Sequence, residues 1–163
     1  MTLENTTVSG NKTGGVGGGI LQNDGTLSIA DSTIASNVAG TAGGIYVRST
    51  TNVKNAIVSN NQSNFPSDRN CNQPVTTSEG SNLEKGTTCG FTQPSDVNAD
   101  PKLGKLRNNG GPTNTRALQR GSPAIDAGVG CPPPDRDQRG VSRPQDGDNN
   151  GTQICDIGAY EKF

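Results

Sequence analysis

Seven of the fifteen acidic residues of this chain fall between Asp126 and Glu161, at Asp126, Asp135, Asp137, Asp146, Asp148, Asp156 and Glu161, with Arg136, Arg139 and Arg143 among them. Two carboxyl groups facing each other across a cleft are the equipment of glycoside hydrolysis, and carboxylates beside an arginine suit polysaccharide lysis. The same residue types also build turns and Arg–carboxylate bridges that hold an irregular segment together. The bridges are the favoured reading, because the chain has no histidine and no tryptophan. That removes imidazole bases, Ser-His-Asp and Cys-His nucleophiles and His-bound metals. The aromatic residues, Tyr46, Phe65, Phe91, Tyr160 and Phe163, are too scattered for a stacking platform.

The densest run of side-chain oxygens is Asp146-Gly147-Asp148-Asn149-Asn150-Gly151-Thr152. It matches the opening of an EF-hand-type calcium loop: oxygen ligands at alternate positions, a glycine after the third, then a backbone carbonyl. Asp146, Asp148, Asn150 and Thr152 are the expected ligands. Ile157 stands where such a loop places its bidentate Glu, so Asp156 is the candidate to replace it. No cofactor is required, and calcium in this loop would be structural. A polar hairpin of Asp-Gly and Asn-Gly turns is spelled with the same letters, and both readings stand. Asn5, Asn11, Asn61 and Asn150 each open an N-x-Ser/Thr sequon, matches that a chain so rich in Asn and Thr produces by chance.

Four cysteines, Cys71, Cys89, Cys131 and Cys155, form no CxxC and have no histidine company, so zinc and thioredoxin-type readings are weak. Disulfides in an oxidising compartment fit better. Of the possible connectivities, Cys71–Cys89 with Cys131–Cys155 is preferred because each pair lies within its own segment.

The elements that must position these groups are written in the composition. Only 28% of the 163 residues are hydrophobic, whereas Gly (23), Asn (18) and Thr (17) are abundant; a compact helical core cannot be made from this. Three segments superpose: LENTTVSGN (3–11), IADSTIASN (29–37) and VKNAIVSNN (53–61), at offsets of 26 and 24 residues, with GGGIL (17–21) and GGIYV (43–47) between them. Short β-branched runs broken by Gly and Asn read as strands and tight corners. The period suits one rung of a right-handed parallel β-helix, whose backbone groups pair with the rungs above and below around a thin apolar stack. Asn11, Asn37 and Asn61 end the three copies, as either a stacked ladder in the left-handed conformation or ordinary turn asparagines.

This GGxI…SxN alternation resembles the repeats of polymorphic outer membrane proteins and related surface β-helices, although their strict FxxN form is absent. Further along, DPKLGKL (100–106), NNGGPTNTRAL (108–118), GSPAIDAG (121–128), DQRGVSRP (137–144) and CDIGAYE (155–161) follow in an order and spelling similar to the C-terminal region of choice-of-anchor Q domain proteins. The resemblance implies a β-helix at or near the end of a large exported bacterial surface protein, and no particular reaction.

Three regions are therefore expected: about three rungs over 1–61, a loop-rich insertion closed by Cys71 and Cys89 over 62–99, and an irregular region over 100–163 that caps the open end of the coil. Within that cap, Ser122 as N-cap, Pro123 at the first position and Gly128 as left-handed exit predict one helical turn. The expected function is a non-catalytic, extracellular or cell-surface structural or adhesive module. Its partners would be upstream rungs or another copy stacked end to end, with surface carbohydrate as a further partner. The alternatives are a polysaccharide lyase or glycoside hydrolase on the same scaffold, or a flat-faced carbohydrate- or ice-binding module using Thr6, Thr7, Thr33, Thr50 and Thr51. A net charge of −1 gives no footprint for nucleic acid, and no apolar run is long enough for membrane insertion.

Overall fold

The computed structural model describes residues 1–163, apart from the side chain at position 68. It is a parallel β-helix of about three turns. The first rung consists of β1 (Thr2–Glu4), β2 (Thr7–Ser9) and β3 (Ile20–Gln22); the second of β4 (Leu27–Ala30), β5 (Thr33–Ala35) and β6 (Ile45–Val47); the third opens with β7 (Thr51–Lys54) and β8 (Ile57–Ser59). All pairings among them are parallel, and the register is that of the repeats: Leu3 lies beside Ile29 and Ile29 beside Val53, while Val8, Ile34 and Val58 form the next row. Ile20 pairs with Ile45, so the GGI triplets align at an offset of 25.

Rungs this flat need a sharp corner between their first two strands. Asn5, Asp31, Asn55 and Ser81 stand there, all with φ between 45° and 49°. Asn and Asp tolerate this left-handed geometry better than other side chains. The terminal asparagines do form a ladder, but the left-handed residues are their predecessors, Gly10, Ser36 and Asn60. Glycines before the third strand serve close approach instead: a Cβ on Gly18 would sit 2.5 Å from the carbonyl oxygen of Gly43.

Inside the coil, Leu27, Ile29, Ile34, Ile45, Val47, Val53 and Val58 are buried in one stack, each worth roughly 1.5–3 kcal/mol relative to exposure. The stack's two ends differ. At the first rung Leu3 and Val8 are only half-buried, whereas at the other end Val75, Phe91 and the Cys71–Cys89 disulfide close it. The segment 62–99 is thus loop-rich and stapled, yet it also prolongs the coil. β9 (Thr77–Ser78) joins β7, β10 (Leu83–Glu84) joins β8, and β11 (Val97–Asn98) joins β10.

Residues 100–163 contain no strand longer than an isolated bridge, and they lie along the flank of the coil instead of over its end. Ile57 and Leu83 point outward from β8 and β10 and pack with Leu118, Ala124 and Ile157 in a second buried cluster. The reason is in the repeat: at the outward position where the first two copies carry Thr7 and Thr33, the third carries Ile57. An apolar flank needs a cover. The contacts run across the rungs, from Asn5 Nδ2 donating to Arg136 O at 2.8 Å, through Ala159 N–H on Thr33 Oγ1, to Gly158 N–H on Asn55 O.

Of the threonines named for the alternative flat face, Thr33 and Thr51 are buried and Thr7 is bonded to Gln138. The helical turn at 122–128 also shortens. Ser122 Oγ accepts from Ala124 N–H and Ser122 O from Ile125 N–H, but the left-handed exit is Asp126, with φ at +53°. Gly128 has a different duty, since a Cβ there would come within 2.9 Å of Cys155 O.

Candidate functional site

The acidic loop is built by its own backbone turning around its carboxylates. Asp146 accepts from Asn150 N–H and Gly151 N–H, Asp148 from Asn150 N–H and Nδ2, and Asn150 Oδ1 from Thr152 N–H, all within 3.0 Å. The third carboxylate on this loop is Asp126, not Asp156. The left-handed exit of the 122–126 turn aims Asp126 at the loop, where it accepts from Gly147 N–H at 3.1 Å and Asp148 N–H at 2.9 Å. One oxygen each of Asp126, Asp146 and Asp148 lies within 4.8 Å of the others. Oxygens so grouped suit a hard cation such as calcium. Burial, and then its like-charged neighbours Asp148 and Asp146, push the Asp126 carboxyl above its ordinary range.

Asp156 is fully buried and turned to other work. It accepts Asp126 N–H at 2.8 Å and Lys162 N–H at 2.6 Å, and burial pushes its pKa up to about 7. Nothing in the letters around 146–152 pointed to Asp126, since a tertiary turn brings it over. The only signal for it was the turn chemistry of SPAIDAG.

Of the other carboxylates and arginines of this region, Asp137, Asp156, Glu161, Arg139 and Arg143 form one buried network, whereas Asp135 and Arg136 are exposed, Arg136 donating to Gly140 O at 2.8 Å. Arg143 donates to Asp156 O at 3.0 Å and Gly158 O at 2.6 Å, and its guanidinium stands 3.6 Å from both Asp31 on the coil and Glu161. Arg139 pairs with Asp137 at 2.7 Å, donates to Glu161 O and lies 3.6 Å over the Tyr160 ring. Asp137 also receives Val141, Arg139 and Glu161 N–H groups. Glu161 receives those of Gln145 and Asp156. Burial raises the pKa of Asp31 and of Glu161, against the opposing pull of Arg143.

A carboxylate that already accepts two backbone N–H groups inside the fold is poorly placed to protonate or attack a substrate. The bridge reading of these residues therefore matches their geometry. Among the open clefts of the surface, two border these features. One, of about 710 Å³, lies between the 122–126 turn and the acidic loop, with Arg120, Asp148 and Lys162 on its walls. The other, of about 520 Å³, is lined by Asn60, Gln62, Arg69 and Lys85 beside the asparagine ladder. Cys71–Cys89 and Cys131–Cys155 are both bridged, with Cα separations of 4.9 and 6.1 Å. Compared with protein-family models, with curated proteins and with solved structures, the chain matches none.

Proposed function

We propose that this chain is a non-catalytic structural or adhesive β-helix module of the cell surface or the extracellular space. The observation that carries this reading is the fate of the residues that could do chemistry: Asp31, Asp137, Asp156, Glu161 and Arg143 are buried and spent on holding the chain together. The disulfides support an oxidising location. The resemblance to polymorphic outer membrane and choice-of-anchor Q proteins points to the same setting, a bacterial exported protein.

The half-buried Leu3 and Val8 leave the first rung with unpaired strand groups and an open apolar end. That edge fits another β-helix rung, whether upstream or from a second copy. Calcium on Asp126, Asp146 and Asp148 would brace the irregular flank, and surface carbohydrate is the ligand class for the polar clefts. Two measurements test the reading. Incubation with neutral and acidic polysaccharides should release neither reducing ends nor unsaturated uronates; turnover of any of them would overturn the non-catalytic assignment. Sedimentation and hydrogen exchange should show self-association or fraying at residues 2–9. A strict monomer with 2–9 as protected as 53–60 would remove the stacking edge.

A further inference from the structure

The chain contains two Asn-Gly pairs, Asn109–Gly110 and Asn150–Gly151, and their surroundings differ in a way that bears on covalent chemistry. An asparagine followed by glycine is open to attack on its own side chain by the next backbone nitrogen. The reaction needs a base for that nitrogen's proton, a donor for the charge growing on the carboxamide oxygen, and freedom for the carboxamide to swing.

At Asn150 the first two are in place. Gly151 N–H donates to Asp146 Oδ2 at 2.8 Å, so a carboxylate already holds the proton that must leave. Thr152 N–H donates to Asn150 Oδ1 at 2.8 Å, where the oxyanion would form. The hydrogen bond from Gly151 lies in the peptide plane, whereas attack uses the electron density above that plane, so the two do not compete. Asn150 is exposed, and its Nδ2 is held only by Asp148 Oδ2 at 2.9 Å, a contact to a side chain of the same exposed loop.

At Asn109 the base and the freedom to swing are missing, although the carboxamide oxygen has a donor in Arg107. Gly110 N–H donates to the neutral carboxamide of Asn108 at 2.8 Å. The Asn109 side chain is pinned at both ends: Nδ2 donates to Thr115 O at 2.9 Å and Thr115 Oγ1 at 3.1 Å, and Oδ1 accepts from Arg107 Nε at 3.0 Å.

We infer that Asn150 is a self-modifying site, which cyclises onto Gly151 and deamidates in the folded protein while Asn109 is protected. Gly151 N bonds to Asn150 Cγ, the Cγ–Nδ2 bond breaks, and the proton released from Gly151 passes through Asp146 to the departing ammonia. Water then opens the succinimide at either carbonyl, leaving aspartate or isoaspartate at position 150. Either product adds a negative charge beside Asp126, Asp146 and Asp148. Isoaspartate also lengthens the loop backbone by one carbon. The acidic loop would thus change its charge with the age of the molecule.

Peptide mapping by mass spectrometry, with fragmentation that separates aspartate from isoaspartate, tests this on the full chain during incubation at neutral pH. In the native protein Asn150 should convert at least about tenfold faster than Asn109. In the reduced, denatured chain, where both pairs have the same neighbour and no fixed environment, the ratio should fall to near one. Asp146→Asn keeps an acceptor for Gly151 N–H but removes the base, and should bring Asn150 down to the rate of Asn109. Equal native rates at the two pairs, or a native ratio no greater than the denatured one, would overturn the proposal without reference to any variant.

Discussion

The coil and the flank solve one problem, the pairing of backbone groups in a chain too polar to rely on a large core, by opposite means. In the coil the partners are other backbone groups, repeated from rung to rung, with a file of carboxamides inside. Asn11 N–H and Nδ2 donate to Asn37 Oδ1, Asn37 likewise to Asn61, and Asn61 to Asn70, whose own Nδ2 donates to Glu84. In the flank, beside isolated antiparallel bridges, the partners are carboxylates, with Asp126, Asp137, Asp156 and Glu161 each gathering two or more N–H groups. A neutral file costs little to bury, because each amide is both donor and acceptor to the next. A charged hub must be desolvated, and holds only while its arginines stay in place. The coil should therefore respond less than the flank to pH and to the loss of an arginine, its buried charged points being Asp31 against Arg143 and Glu84 at the end of the file.

The sharpest way to break this contrast is Arg143→Ala. It leaves Asp31 and Glu161 as uncompensated buried charges and strips a donor from Asp156 O and Gly158 O. Loss of one partner of such a buried pair costs about 3–5 kcal/mol. Hydrogen exchange should show residues 122–161 losing protection while 27–59 keep theirs. Uniform loss across both regions would mean that the flank is as integral to the fold as the rungs.

The second effect is a pH slope set by the flank and by its contact with Asp31 on the coil. Asp156, raised from 3.8 to about 7, and Asp31 and Glu161, raised by burial, hold protons in the folded chain that the unfolded chain releases. Their contribution is fully present below the unfolded carboxylate value and is lost as pH rises toward 7, on the order of 4 kcal/mol as an upper bound for Asp156. The melting temperature should accordingly be higher at pH 5 than at pH 8. Asp156→Asn should lower it at both and flatten the slope, because an amide cannot accept both the Asp126 and the Lys162 N–H groups as the carboxyl does. A slope of the opposite sign would show that salt-bridged, pKa-lowered acids dominate.

The two regions were unequally legible in the sequence. Rungs repeat, so the offset of 26 from Leu3 to Ile29 and of 24 from Ile29 to Val53 stated the register directly. The cysteine pairing followed from proximity along the chain. The flank does not repeat, and its chemistry depends on contacts between residues far apart in sequence, such as Asp31 with Arg143 or Asp126 with Asp148. Its placement turned on one letter, Ile57, an outward apolar residue in a file that begins with two threonines. The strands of residues 77–98 were hidden because two-residue pairings leave no periodicity to read.

The asparagine file offers the smallest effect and the finest test, since it predicts a gradient within one motif. Asn37 lies in the middle, fully buried, and its truncation to Ala would orphan Asn11 N–H and Val8 O together. An unsatisfied buried group costs about 1–3 kcal/mol. Asn11 lies at the open end and is exposed, so water replaces what Asn11→Ala removes, and the loss should stay below about 1 kcal/mol. The two substitutions are the same chemical change in the same motif, so their difference measures burial along the file and little else. Denaturant midpoints that rank Asn37→Ala well below Asn11→Ala, with the pH slope of both unchanged from the parent, would show that the file is a neutral device independent of the flank. Equal losses would mean that water reaches the file along its length, and that the coil's stability rests on its strand ladders and apolar stack alone.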